Sequence, residues 1–263
     1  MSVSKVIFNS TPFIDVTADT VDANTLAESY VALSKSGMVV NGIQPVESSE
    51  TAIIERSLSG DYTNSRITQL RSNAFTGCAS LERINLPSVT TFHGDIVSGS
   101  YLYLPGITSV PHNKRICVNG VVDLPNVVSV GISCFNTSSV KMTVLYMPSC
   151  TSIGTNFMTV AQQNLVKLVC AENPFTNINY SLYKTPSLKA LVIKRTSVAG
   201  SPGASALAQS GIATNDDAYI YVPRDLVEDY KVATNWSVYA DKFRAIEDYP
   251  LIDAPTTWLP TGE

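Results

Sequence analysis

Glu82-Arg83-Ile84-Asn85-Leu86-Pro87-Ser88-Val89 is the stretch on which the fold turns. It opens with polar and apolar residues in near alternation, the period of a strand with one buried face. A proline then stops the run, because it has no N–H to give a neighbouring strand. The same short motif returns as Leu104-Pro105-Gly106-Ile107, Leu124-Pro125-Asn126-Val127 and Met147-Pro148-Ser149-Cys150. Its prolines are spaced 18, 20 and 23 residues apart. A matching tail follows each copy: Thr90-Thr91-Phe92, Thr108-Ser109-Val110, Val128-Ser129-Val130 and Thr151-Ser152-Ile153.

Strand-like runs also precede the later prolines, at 101–104, 121–124 and 144–147. Runs without the full motif follow at 167–170, 189–193 and 218–223. One strand and two turns every ~20 residues describes a coil of a solenoid. No coil buries its apolar face alone, so neighbours must stack, their strands forming a parallel sheet at about 4.8 Å spacing. The expected fold class is mainly β with short helices: a solenoid of parallel strands, about six or seven coils and roughly 30 Å long, plus a small N-terminal attachment domain. A globular β-sandwich ranks second, since it does not require the proline motif at each strand.

The two ends read differently. Residues 1–45 are rich in Thr, Asp and Ala and suggest strand, short helix, turn and strand, with Asp22 or Asn24 capping the helix. A unit of about 45 residues lies near the lower limit for independent folding, so it should dock, oligomerise or attach to a larger body. Residues 46–66 look like a polar connection with one strand at 52–55. Residues 67–247 hold the repeats and end in an amphipathic helix at 224–233, preceded by Pro223, the natural cover for a last coil. Residues 248–263 carry Pro250, Pro255 and Pro260 and read as an extended tail lying on a neighbour.

The repeat body resembles the BspA-like (Treponema-type) leucine-rich repeats. The resemblance is fullest in Asn73-Ala74-Phe75-Thr76-Gly77-Cys78-Ala79-Ser80-Leu81 and the strand and Leu86-Pro87 that follow. Ile132-Ser133-Cys134-Phe135 and Gly154-Thr155-Asn156-Phe157 keep part of it, and the stretch from Tyr221-Val222-Pro223 to Asn235-Trp236 looks like the family's usual end. It covers about residues 51–247. The segment Ile14-Asp15-Val16-Thr17-Ala18-Asp19-Thr20-Val21, with Ser36-Gly37 and Asn41-Gly42, looks like the start of many phage virion and tail proteins. Together the resemblances imply a phage virion structural or adhesion protein, of tail-fibre, baseplate or head-decoration type, displaying a leucine-rich-repeat domain. They imply other virion proteins as partners through residues 1–45, a homo-oligomer, and a host-surface protein or glycan on the repeats. A bacterial cell-surface adhesin and a tail-associated polysaccharide-degrading enzyme stand as alternatives.

Composition narrows the function. Charged residues make up 15% of the chain and the net charge is −4, against a usual charged share of about 25%. A polar, weakly charged surface suits a virion or an extracellular setting. There is no Lys/Arg run to draw nucleic acid and no apolar stretch of membrane-spanning length. The N-terminus lacks the apolar core of a signal peptide, so the expected route outside is within a particle released by lysis.

Chemistry-bearing patterns are sparse, and the expectation is a non-enzyme without cofactor or metal. Cys78, Cys117, Cys134, Cys150 and Cys170 are odd in number and form no CxxC, so they read as small buried apolar residues. His93 and His112 lack ligand-like neighbours and read as turn residues. Asp216-Asp217 and Glu228-Asp229 read as solvated charges, because adjacent residues do not share a face. The outward alternates of the strands, Arg83, Asn85, Tyr101, Tyr103, Asp123 and Tyr146, form the candidate ligand-binding face. Tyrosine offers contact area and a hydroxyl at low entropic cost; it also favours strands for its own sake.

Overall fold

The computed structural model describes residues 59–70, 74–75, 78, 80–94, 96–97, 99–135, 141–154, 158, 163–171, 182, 185–198, 201–203 and 205–260, with four N-terminal strands. The chain is mainly β, with a few short helices. Its centre is a sheet of nine strands: β1 (Gly60–Thr63), β2 (Leu81–Asn85), β3 (Tyr101–Tyr103), β4 (Val121–Asp123), β5 (Val144–Met147), β6 (Lys167–Cys170), β7 (Ala190–Ile193), β8 (Tyr219–Val222) and β9 (Phe243–Ala245). Sheet order equals chain order, and every pairing is parallel. The register carries one inner column from Tyr62 through Ile84, Leu102, Val122, Leu145, Leu168, Leu191 and Ile220 to Phe243. Steps along this column run from 18 residues, Ile84 to Leu102, to 29, Leu191 to Ile220.

The Leu-Pro-x-Val motif is the corner after the strand. Val89, Ile107, Val127 and Cys150 each donate a backbone N–H to the carbonyl three residues back, at Leu86, Leu104, Leu124 and Met147. Proline fits the second position of such a turn because its φ is already set. The first and last residues of each motif are buried. The variable position ties neighbouring turns together. Asn126 Nδ2 donates to Pro105 O at 2.8 Å, and Ser149 Oγ to Pro125 O at 2.7 Å. At Gly106 a Cβ would lie 2.4 Å from Val89 O, so there the backbone itself sits on the preceding turn.

The tails after the last three motifs form a second, small parallel sheet, Ser109–Val110, Ser129–Val130 and Ser152–Ile153, while the first tail, Thr91–Phe92, pairs in parallel with Gln69–Leu70. Val110, Val130 and Ile153 share one core with the inner column. At the C-terminal end, Arg224–Leu226 forms a 3-10 turn and α1 (Val227–Val232) follows. There Tyr230 and Trp236 are fully buried, their rings 5.2 and 6.0 Å from that of Phe243 on β9.

Several expectations shift. The polar Gly60–Thr63, placed in the connection, is the first strand of the sheet. It is recognisable only by Tyr62, which packs on the core from an otherwise polar edge. Phe243–Ala245, read as part of the cap, is the ninth strand. The strand expected at 52–55 and the short helix expected at 26–30 with its cap at Asp22 or Asn24 fall outside the described residues. In residues 1–45, Lys5–Phe8 pairs antiparallel with Thr11–Asp15, and Val31–Leu33 with Val39–Asn41. The cysteines are free thiols; Cys117 is half-buried and the other four are buried.

The tail is the clearest correction. It does not run on as an extended segment to a neighbour. It turns back through Tyr249–Asp253 and lies on the molecule's own sheet. Ile252 is fully buried, and Tyr249 and Leu259 pack with it on Val169, Ala190, Val192 and Tyr221. The physical reason is that β7, and β6 apart from Lys167, are apolar on both faces, a pattern that demands cover on each side.

Candidate functional site

The outer face of the sheet is built from two columns that flank the buried inner one. One runs Arg83, Tyr101, Val121, Val144, Lys167, Ala190, Tyr219. The other runs Asn85, Tyr103, Asp123, Tyr146, Val169, Val192, Tyr221, Arg244. All six residues of the candidate face therefore do share one surface, spread over β2 to β5. Parallel pairing brings together residues 18 to 23 apart in sequence at one rung of about 4.8 Å.

Three of them form a connected set. The Arg83 guanidinium lies over the Tyr101 ring, 4.2 Å from its centroid. Tyr101 donates its hydroxyl to Asp123 Oδ2 at 2.6 Å. These contacts hold the ring from two sides and limit its rotamers. Burial and the acceptor Asp123 push the Tyr101 hydroxyl well up from its ordinary value. Asp123 itself is raised, because burial disfavours its charge more than the Tyr101 hydrogen bond and Arg83 favour it.

Asp123 departs from the expected exposure. It is only 4% exposed, so it supports the face rather than presenting itself to a ligand. Its neighbours in register are two large tyrosines, Tyr103 and Tyr146, which stand higher from the sheet than a short carboxylate can. Asp123 Oδ1 and Asn85 Oδ1 are enclosed and have no hydrogen-bonding partner among the described residues. Arg83 is exposed, and Asn85, Tyr101, Tyr103 and Tyr146 are half-buried.

Beyond Tyr146 the face changes character. Lys167 is fully enclosed and donates from Nζ to Trp258 O of the tail at 3.3 Å. Burial lowers its ammonium to about 8, against the opposing pull of Asp253. Lys194, just after β7, pairs with Asp253 at 2.5 Å. Tyr146 stands at the junction, pushed up to about 12 by burial and by the charges of Asp253 and Asp123. Lys167, Lys194 and Asp253 escaped the sequence reading. The available signal was the uninterrupted apolar context of Lys167-Leu168-Val169-Cys170, where alternation fails.

The remaining polar groups serve structure. His93 bonds Gln69 at 3.0 Å, and His112 Nδ1 accepts the Ile132 N–H at 3.0 Å. Asp217 pairs with Lys189 and Glu228 with Lys231 on exposed surface. Burial pushes the Cys134 and Cys150 thiols up to about 11, away from nucleophilic thiolate chemistry. Among the described residues no group of three or more His, Cys, Asp or Glu is placed to hold a metal ion, and no helix is long and apolar enough to cross a membrane. The chain matches no protein-family model and no curated protein.

Proposed function

We propose that the nine-stranded unit is a leucine-rich-repeat solenoid of the BspA-like kind and serves as a binding module. The observation that carries this reading is the single-direction stacking of strands in chain order. Each early strand ends in the same proline turn, and the later of these turns are tied to the one before by Asn126 and Ser149 side chains on the preceding proline carbonyl. A sheet built this way leaves one face outward over its whole length. From β2 to β5 that face carries Arg83, Asn85, Tyr101, Tyr103 and Tyr146 over a core already closed on the other side. Side chains held this firmly lose little entropy on binding.

The module belongs to a phage virion structural or adhesion protein, with residues 1–45 as the attachment and oligomerisation segment. This rests on the resemblance of residues 14–21 to virion-protein starts and on the weakly charged, polar composition. The outward face then meets a host-surface protein or glycan, and no catalytic step is assigned to it. Quantitative mass spectrometry of purified particles from a lysate producing this chain tests the assignment. The chain is expected at a fixed copy number per particle, and its consistent absence from purified particles overturns the reading.

A further inference from the structure

Residues 249–260 are held to the sheet mainly by side chains. Their own backbone bonds are local: Tyr249 N–H to Ile246 O, Ile252 N–H to Tyr249 O and Thr256 N–H to Ala254 O. Pro250, Pro255 and Pro260 give no N–H at all, so the segment is ill suited to extend the sheet as a strand. It docks through Ile252, Tyr249 and Leu259 on Val169, Ala190, Val192 and Tyr221, with the Tyr221 and Tyr249 rings 5.4 Å apart edge to face. Two lysines pin it, Lys194 through Asp253 and Lys167 through the Trp258 carbonyl.

We propose that this segment is a releasable strap, and that its opening uncovers the outer face of β6 to β8 as a continuation of the face on β2 to β5. The columns are continuous in register, Tyr146 to Val169 to Val192 to Tyr221. Opening therefore lengthens one surface and adds an apolar half to a polar one. The consequence for recognition rests on the binding-module reading; the opening itself does not.

Lys167 makes the strap sensitive to pH. In the closed state its ammonium is enclosed and lowered to about 8; released into water it returns to its ordinary 10.5. The open form thus binds the proton more tightly, and protonation favours opening. The Lys167 contribution to strap stability is greatest above about 10.5, declines as pH falls, and is lowest and flat below about 8. The other groups around the strap are Asp253 and Tyr249 on it, Lys194 after β7, Tyr146 on β5, Tyr219 and Tyr221 on β8 and Arg244 on β9. Asp253 opposes the shift of Lys167; burial keeps the Tyr146 and Tyr221 hydroxyls protonated in the closed state, and their return toward the ordinary tyrosine value on opening blunts the Lys167 trend above about pH 9.5.

Native-state proteolysis of the full chain with subtilisin tests this. The cleavage rate within 249–260 is divided by that of the free peptide of the same sequence. The normalised rate is expected to fall on the order of tenfold from about pH 7.5 to about pH 9.5, following the Lys167 proton. Strap cleavage should precede any cleavage within β6 to β8. Lys167→Met should remove the pH dependence, while Ile252→Ser should raise cleavage at both pH values and keep it. A wild-type rate that does not change with pH overturns the proposal, without recourse to any variant. So does strap cleavage that appears only together with cleavage of the sheet, or a pH dependence that survives in Lys167→Met. A chain missing from virions but showing the pH-dependent strap would sink the virion reading and leave this one standing.

Discussion

The outer face of the sheet has two halves with the same backbone and opposite surfaces. From β2 to β5 it is mostly polar, tyrosine-rich and half-exposed, with Asp123 and Val144 already buried. From β6 to β8 it is apolar apart from Lys167 and the tyrosine hydroxyls, and lies beneath residues 249–260. Inner columns are alike in both halves: Ile84, Leu102 and Leu145 in one, Leu168, Leu191 and Ile220 in the other, all fully buried. The repeat alone thus settles the inner face, and the outward residues are free to differ. Where they are Tyr103 and Asn85, water or a ligand meets them. Where they are Val169 and Val192, another part of the chain must.

The same substitution placed in both halves should separate them most widely. Val192→Asn sets an amide under the strap with no ready partner and should cost about 3 kcal/mol. Tyr103→Asn on the open half should cost about 1 kcal/mol or less. Urea denaturation of the two variants checks this, and equal losses would erase the distinction between the halves.

Tyr101→Phe should destabilise by about 1–3 kcal/mol, because it leaves the enclosed Asp123 without its donor. The pH dependence has a definite sign. A carboxyl raised in the folded state contributes stability that is present below its ordinary range and is lost as pH rises through the raised value. Losing the Tyr101 donor raises it further, so the variant should lose more stability at pH 7 than at pH 4 relative to the parent. A loss independent of pH would mean that the hydroxyl does not act through Asp123.

At the seam, Asp253→Asn removes a partly exposed ion pair with Lys194 and should weaken the strap by about 1 kcal/mol or less. It should also lower Lys167 further, since Asp253 holds it up; lysine Cε NMR through the alkaline range reads that directly. The smallest effect is expected for Arg83→Gln, about 0.5 kcal/mol from the lost contact of an exposed guanidinium with the Tyr101 ring. Thermal unfolding at two salt concentrations measures it.

Much of this architecture can be read from local text. The proline motif marks the turn after each early strand, and near-alternation marks which residues turn inward, because both depend on neighbours a few positions away. Seven of the nine sheet strands coincide with runs seen in the sequence. The two at the ends do not: Gly60–Thr63 has one inward anchor, Tyr62, and Phe243–Ala245 lies amid cap-like helical turns. Five of the six face residues are exposed or half-buried as their alternation implies. Asp123 is not, since alternation gives a side chain's direction and says nothing of the height of its neighbours.

The amino-acid sequence by itself determined the repeat, its inward columns and the set of side chains on the outer face, since each follows from spacing and residue type. It also held, unread, the sign that β6 and β7 need cover on both sides, in runs where apolar residues stop alternating. Only the tertiary structure decided what supplies that cover. Tyr249 and Ile252 lie about 80 residues from Val169 in the chain, and no local periodicity links them. Stacking the strands in register builds the apolar surface, and the prolines of the tail leave side-chain burial as its means of attachment.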